Sequence, residues 1–159
     1  MKNDVMFSSR TDMWETPQDF FDELNSEFHF TLDVCAVPEN AKCEKFYTPD
    51  DDGLSQPWDG VVWCNPPYGR DIGKWILTAS IASGARGATV VMLLPARTDT
   101  RWFHDFIYQK DRVEIRFLRG RLKFGNSKNS APFPSMVVVF RPTSYPGLTC
   151  AQQTGGGQM

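Results

Sequence analysis

The residues best equipped for chemistry are Asn65, Pro66, Pro67 and Tyr68, set directly behind the apolar run Val61-Val62-Trp63-Cys64. Asn65 offers a side-chain carbonyl acceptor, and the Pro66 backbone carbonyl lies where no local helix can claim it. Two acceptors side by side suit an amino group with two hydrogens to give. Tyr68 adds a flat face on which a planar base can stack. An exocyclic nitrogen has its lone pair drained into its ring. Acceptors pulling on its hydrogens favour a more tetrahedral nitrogen and free that pair for attack, which is electrostatics directed at the transition state. The plain alternative is a proline-rich turn after a core strand.

Asp33 stands oddly near the end of the apolar run Phe30–Ala36. A carboxylate there needs a partner: it either caps a turn or accepts from a ligand's ammonium or ribose. Pro49-Asp50-Asp51-Asp52-Gly53-Leu54 is an acidic turn. Its consecutive aspartates lack the distal glutamate of a calcium loop, so a ligand role for Asp52 is the better reading. The four cysteines (Cys35, Cys43, Cys64 and Cys150) have no C-x-x-C spacing, and neither His29 nor His104 lies at ligand spacing from one of them. They read as reduced thiols of a cytosolic protein, with no metal site.

Several elements must position these residues. The β-branched run 61–64 reads as a short buried strand, ended by the two prolines, so Asn65 and Tyr68 sit in a stiff loop at its carboxyl end. Ligands bind at that end of open α/β sheets. Thr16 as N-cap, Pro17 at the first helical position and Asp19 in the first turn predict a helix to about Phe28, with Phe20, Phe21, Leu24 and Phe28 inward. Phe30–Ala36 reads as a strand and Lys45–Thr48 as a weaker one. A helix follows from about Ile72 to Ser83, ended by Gly84 and Gly87. Thr89–Leu94 is a second central strand, parallel to the first, and Thr98 or Asp99 caps the next helix. Val113–Leu118 and Met136–Phe140 are strands that can pair as an antiparallel edge. Residues 1–13 read as a flexible arm, 14–141 as one domain and 142–159 as a disordered tail. Alternating strands and helices with a late pair of strands give a three-layer α/β domain.

The 159 residues suffice for one domain with a proper core. Their 41% hydrophobic and 13% aromatic content is that of a globular protein, no apolar run reaches membrane-span length, and the N-terminus is not a signal peptide. The net charge of −2 hides a segregation. Residues 1–60 hold 4 basic and 14 acidic side chains, whereas residues 97–128 hold 9 basic and 4 acidic. A local basic stripe can bind a polyanion even when the whole chain is slightly acidic.

Asn65-Pro66-Pro67-Tyr68 behind an apolar strand resembles the motif of amino-group methyltransferases. More of the chain resembles one branch of them, the short phage and prophage Dam-like DNA N6-adenine methyltransferases. Trp14-Glu15-Thr16-Pro17, Leu32 to Ala36, Asn40 to Cys43, Asp52-Gly53-Leu54, Trp63 to Gly69, Leu94 to Thr100, Arg119 to Leu122 and Pro132 to Ser135 carry the likeness. The resemblance implies a single Rossmann-like domain with a central, mostly parallel sheet and a late antiparallel strand. It implies S-adenosylmethionine as cofactor, held by Trp14, Thr16, Pro17, Asp33, Cys35, Ala36, Asp52, Leu54 and Asn65. Thr16 and Pro17 resemble a segment closing over the cofactor, and Asp52 the acidic residue near its adenine. Cys35-Ala36-Val37-Pro38 departs from the Gly-rich loop that most methyltransferases carry there.

The implied reaction is direct methyl transfer to the N6 amino group of an adenine flipped from double-stranded DNA. Asn65, Pro66, Pro67 and Tyr68 would be catalytic, with Phe133 or Phe124 closing the other face of the base. Arg97, Arg101, Arg119, Arg121 and Lys123 would contact phosphates or guanine edges, against a plain reading of each as a solubilising surface charge. Specificity, for a short site such as GATC, would come from loops 97–101 and 119–134 or from a second subunit. The resemblance also implies a cytoplasmic enzyme of a bacterial host cell, without metal or membrane; whether it works as a monomer or a weak dimer is left open by the sequence. The same loop would serve RNA or a protein glutamine amide, and a nucleic-acid-binding module could keep the fold without catalysis.

Overall fold

A computed structural model describes residues 14–125 and 129–143. The expected arm 1–13 and all but the first two residues of the expected tail lie outside them. Five strands form one open sheet: β1 (Leu32–Asp33), β2 (Val61–Cys64), β3 (Thr89–Pro95), β4 (Val113–Phe117) and β5 (Ser135–Phe140), in the order β1-β2-β3-β5-β4. β1, β2 and β3 pair parallel, while β5 runs antiparallel to both β3 and β4. Four strands therefore point one way, and β5 alone opposes them. β2, β3 and β5 bury nearly every side chain, as the continuous Val-rich runs require of strands covered on both faces.

Among the described residues three α-helices cover the sheet: α1 (Gln18–Phe28), α2 (Ile72–Arg86) and α3 (Arg101–Phe106). Register and the two-residue period put Trp63, Val91, Val139 and Glu114 on one face. α1 lies there: the Phe21 ring meets Trp63 edge-on at 5.3 Å, and Glu27 pairs with Arg116 at 2.8 Å. α2, the crossover between β2 and β3, packs with α3 on the other side and buries Ile72, Trp75, Ile76 and Ala79. The three-layer α/β architecture implied by the sequence is the one observed. Among the described residues no helix is long and apolar enough to cross a membrane, and no three metal-ligating side chains cluster.

The details differ where tertiary contacts outweigh local preference. The run Phe30–Ala36 yields only Leu32–Asp33, because both Asp33 carboxylate oxygens draw the following backbone into a turn. Lys45–Thr48 contributes a single bridge, Phe46 to Asp33. Thr16 does not cap α1: Pro17 takes the cap position without a side-chain bond, and the Thr16 hydroxyl is engaged elsewhere. α2 runs through Gly84 to Arg86 and ends at Gly87, whose φ of 74° needs no Cβ. α3 is capped by Thr100, which accepts from the Phe103 amide at 3.3 Å, rather than by Thr98 or Asp99. The last two strands do pair antiparallel, but β5 lies inside the sheet, and of the two β4 is the one at an edge.

Candidate active site

β2 ends at Cys64, so Asn65 leaves the sheet at the edge where β1, β3 and β4 also end and β5 begins. Its amide nitrogen donates to the backbone carbonyl of Trp14 and, at 2.9 Å, to the Thr16 hydroxyl. A backbone carbonyl can only accept, so the atom facing Trp14 has to be the NH2 group. The other end of the amide, Oδ1, is buried and has no hydrogen-bond partner among the described residues. The Pro66 carbonyl oxygen likewise accepts no hydrogen bond among them. The loop thus holds two acceptors that no described residue claims.

Tyr68 is buried, with its phenol donating to the Leu93 carbonyl at 2.9 Å. Burial pushes the phenol well above its ordinary range, so it stays a neutral donor. The hydrogen bond to β3 fixes the ring. Phe133 meets it at 5.6 Å and Phe124 at 6.3 Å, both near edge-on, and Trp14 packs edge-on against the same two phenylalanines at 5.1 and 5.5 Å. The expected stacking face is therefore part of a four-ring cluster, and a base can lie on it only if Phe124 or Phe133 gives way.

A cleft of about 600 Å³ opens beside this loop, with Pro67, Gly69 and Arg70 on one side. Cys35, Ala36, Asp52 and Leu54 line it, as do Val34 and Trp75; Trp14, Thr16, Pro17, Asp33 and Asn65 do not. Its size suits a nucleoside-containing ligand. Val34, Leu54 and Trp75 give apolar walls for a planar base. Gly53 leaves the floor bare: a Cβ there would run into the Val34 carbonyl oxygen and come within 3.3 Å of the Trp75 ring. Asp52, exposed at the rim, accepts from the Ser55 hydroxyl at 2.6 Å and keeps acceptor capacity for ligand hydroxyls. Burial first and the Asp33 charge second push the Cys35 thiol up to about 12, which favours the protonated form.

Asp33 stands behind the cleft wall. Its Oδ1 accepts from the Cys35 amide at 3.2 Å and its Oδ2 from the Lys42 amide at 3.0 Å, the turn-capping arrangement of its two readings. Burial raises its carboxyl to about 6 despite both hydrogen bonds and the Lys42 charge. These bonds hold in place the segment that supplies Val34, Cys35 and Ala36 to the cleft.

Arg97, Arg101, Arg119, Arg121 and Lys123 are all exposed and emerge after β3 or β4, on the same edge of the sheet as Asn65. Arg121 also donates to the Ala131 carbonyl at 3.2 Å, and the Ala131 amide donates to Leu122 at 2.8 Å, closing the loop that carries Phe124. By contrast Arg116 and Arg141 are tied to Glu27 and Glu114 on the sheet face under α1. Sequence reasoning missed three parts of the site. The Asp-Gly step at 52–53 was the available signal for the bare floor, whereas nothing local announced Trp75 as a wall or the Trp14 carbonyl as a partner of Asn65.

The chain matches the family model described as DNA N-6-adenine-methyltransferase (Dam) over residues 5–153. It is 32% identical over 142 residues to the DNA N-6-adenine-methyltransferase of Haemophilus phage HP1, covering 84% of this chain and 81% of that protein. It is 36% identical over 96 residues to the DNA N-6-adenine-methyltransferase of Escherichia phage T1, covering 58% of this chain and 39% of that one.

Proposed function

Because the chain belongs to the DNA N-6-adenine-methyltransferase (Dam) family, we propose that it transfers a methyl group from S-adenosylmethionine to the N6 amino group of an adenine flipped out of double-stranded DNA. The observation that carries this reading is the Asn65 amide, with its donors satisfied and Oδ1 buried and unpartnered among the described residues. Leaving such an acceptor unpaired costs about 1–3 kcal/mol, a cost that an amino group arriving from a ligand would remove. Asn65 Oδ1 and the Pro66 carbonyl would each take one N6 hydrogen, and the nitrogen lone pair would turn away from the base ring. Tyr68 would lie against the base, with Phe124 or Phe133 displaced from its face. Pro67, between the loop and the cleft, would set the separation of the two ligands, and holding both in contact supplies much of the rate.

The cleft lined by Val34, Asp52, Gly53, Leu54 and Trp75 fits S-adenosylmethionine. When bound, that cofactor supplies an electrophilic methyl on a sulfonium. Asp52 would hold its sugar or base, and the Val34–Ala36 segment would flank its methionine part. Arg97, Arg101, Arg119, Arg121 and Lys123 would follow the DNA backbone from the same edge of the sheet.

The test is to incubate DNA, RNA and protein substrates separately with enzyme and labelled cofactor, then to map N6-methyladenine in the DNA by sequencing, which also reads the recognition site. Asn65→Ala should lower transfer to DNA by at least about 100-fold while its melting temperature holds. Transfer at the wild-type rate in that variant, or label appearing in RNA or protein instead of DNA, would refute the proposal.

A further inference from the structure

We infer that the Trp14–Thr16 segment positions the catalytic amide: the Trp14 carbonyl and the Thr16 hydroxyl together fix which end of Asn65 faces the substrate. This rests on the adenine-amino reading above. An asparagine amide is nearly symmetric in shape but not in hydrogen bonding, so either end could face the ligand unless something chooses. Here the choice is made from 49 and 51 residues away in sequence. The two N–H groups of Asn65 meet two acceptors, one of them the backbone carbonyl of Trp14. Rotation by half a turn would set Oδ1 against that carbonyl, which has no hydrogen to offer, and present the NH2 group to another NH2 group. The segment thus repels the wrong orientation and satisfies the right one, so the acceptor is in place before substrate arrives.

The segment is itself held firmly. Thr16 is buried. The Trp14 ring packs against Phe124 and Phe133, and Glu15 lies so close to Gly125 that a Cβ there would come within 2.7 Å of the Glu15 Cβ. Thr16 therefore acts through Asn65, as a positioning residue, and its effect should appear in the chemical step rather than in binding.

Steady-state kinetics on Thr16→Val, which keeps the shape and loses the hydroxyl, tests this together with Thr16→Ser. Thr16→Val should lower kcat about five- to tenfold, the worth of one hydrogen bond felt only at the transition state. KM for DNA and the calorimetric affinity for S-adenosylmethionine should each stay within about twofold. Thr16→Ser should restore most of kcat. An unchanged kcat in Thr16→Val would overturn the inference, as would a loss confined to cofactor affinity, which would make Thr16 a cofactor contact. A second readout is made on the wild-type protein. In the free wild-type protein, the Asn65 side-chain NH2 resonances, identified by their loss in Asn65→Ala, should exchange with solvent slowly, and fast exchange would equally overturn it. The two readings fail separately: a wild-type protein that does not methylate adenine sinks the function, while the exchange measurement still judges the geometry.

Discussion

Asp33 should make the protein less stable as pH rises, against the usual behaviour of a carboxylate in a fold. Its carboxyl is raised from 3.8 to about 6 in the native state, chiefly by burial. Between those values the native state holds a proton that the unfolded chain has released, so native stability falls as pH climbs through the window. A rise of about 2 units is worth about 3 kcal/mol. That stability is fully present below about 3.8 and gone above about 6. Asp33→Asn imitates the protonated form at every pH: one oxygen still accepts a backbone N–H, and the other position no longer carries charge. Urea unfolding of both proteins from about pH 4 to about pH 7.5 isolates the effect, because other titrating groups cancel in the difference. The variant should match the wild type near pH 4 and exceed it by up to about 3 kcal/mol near pH 7. A difference that stays flat across the window, or a wild type that gains on the variant as pH rises, would refute the reasoning.

Two further outcomes follow from the geometry. Gly53→Ala should push the Val34 carbonyl or the Trp75 ring into the cleft, costing about 1–3 kcal/mol in a thermal melt and at least about tenfold in calorimetric affinity for S-adenosylmethionine; unchanged affinity would remove the cleft from the mechanism. Replacing Arg119 and Lys123 together by Ala should make the log–log salt dependence of DNA binding shallower by about 1 for each phosphate left without its cation, and an unaltered slope would return them to the role of surface charge.

What the sequence made legible was local. Val61–Cys64, Thr89–Leu94 and the α2 helix as far as Ser83 follow from runs and spacings contained within each element, and the Asn-Pro-Pro-Tyr loop announces itself through residue types alone. Thr16 shows the limit. Its position before Pro17 satisfies the rules for a helix cap, yet its hydroxyl serves Asn65, because a buried amide in need of acceptors outweighs a cap at an exposed helix end. Asp33 breaks its own strand for a similar reason: two backbone amides compensate a buried carboxylate better than continued pairing would. The four-ring cluster joins residues from three separated stretches, so no window of sequence could reveal that Tyr68 is already covered.

The reversed strand β5 has a consequence for how the molecule comes into being. Val90 pairs with Phe140 and Leu94 with Met136, so the middle of the sheet is completed by residues synthesised after every other described strand. Until they arrive, the greasy flank of β3 is open, with no neighbour on that side and every incentive to stick to another chain. The nascent protein therefore carries the Asn-Pro-Pro-Tyr loop before the sheet behind it is complete. A pause in translation between β4 and β5 would lengthen that vulnerable interval rather than help the chain fold.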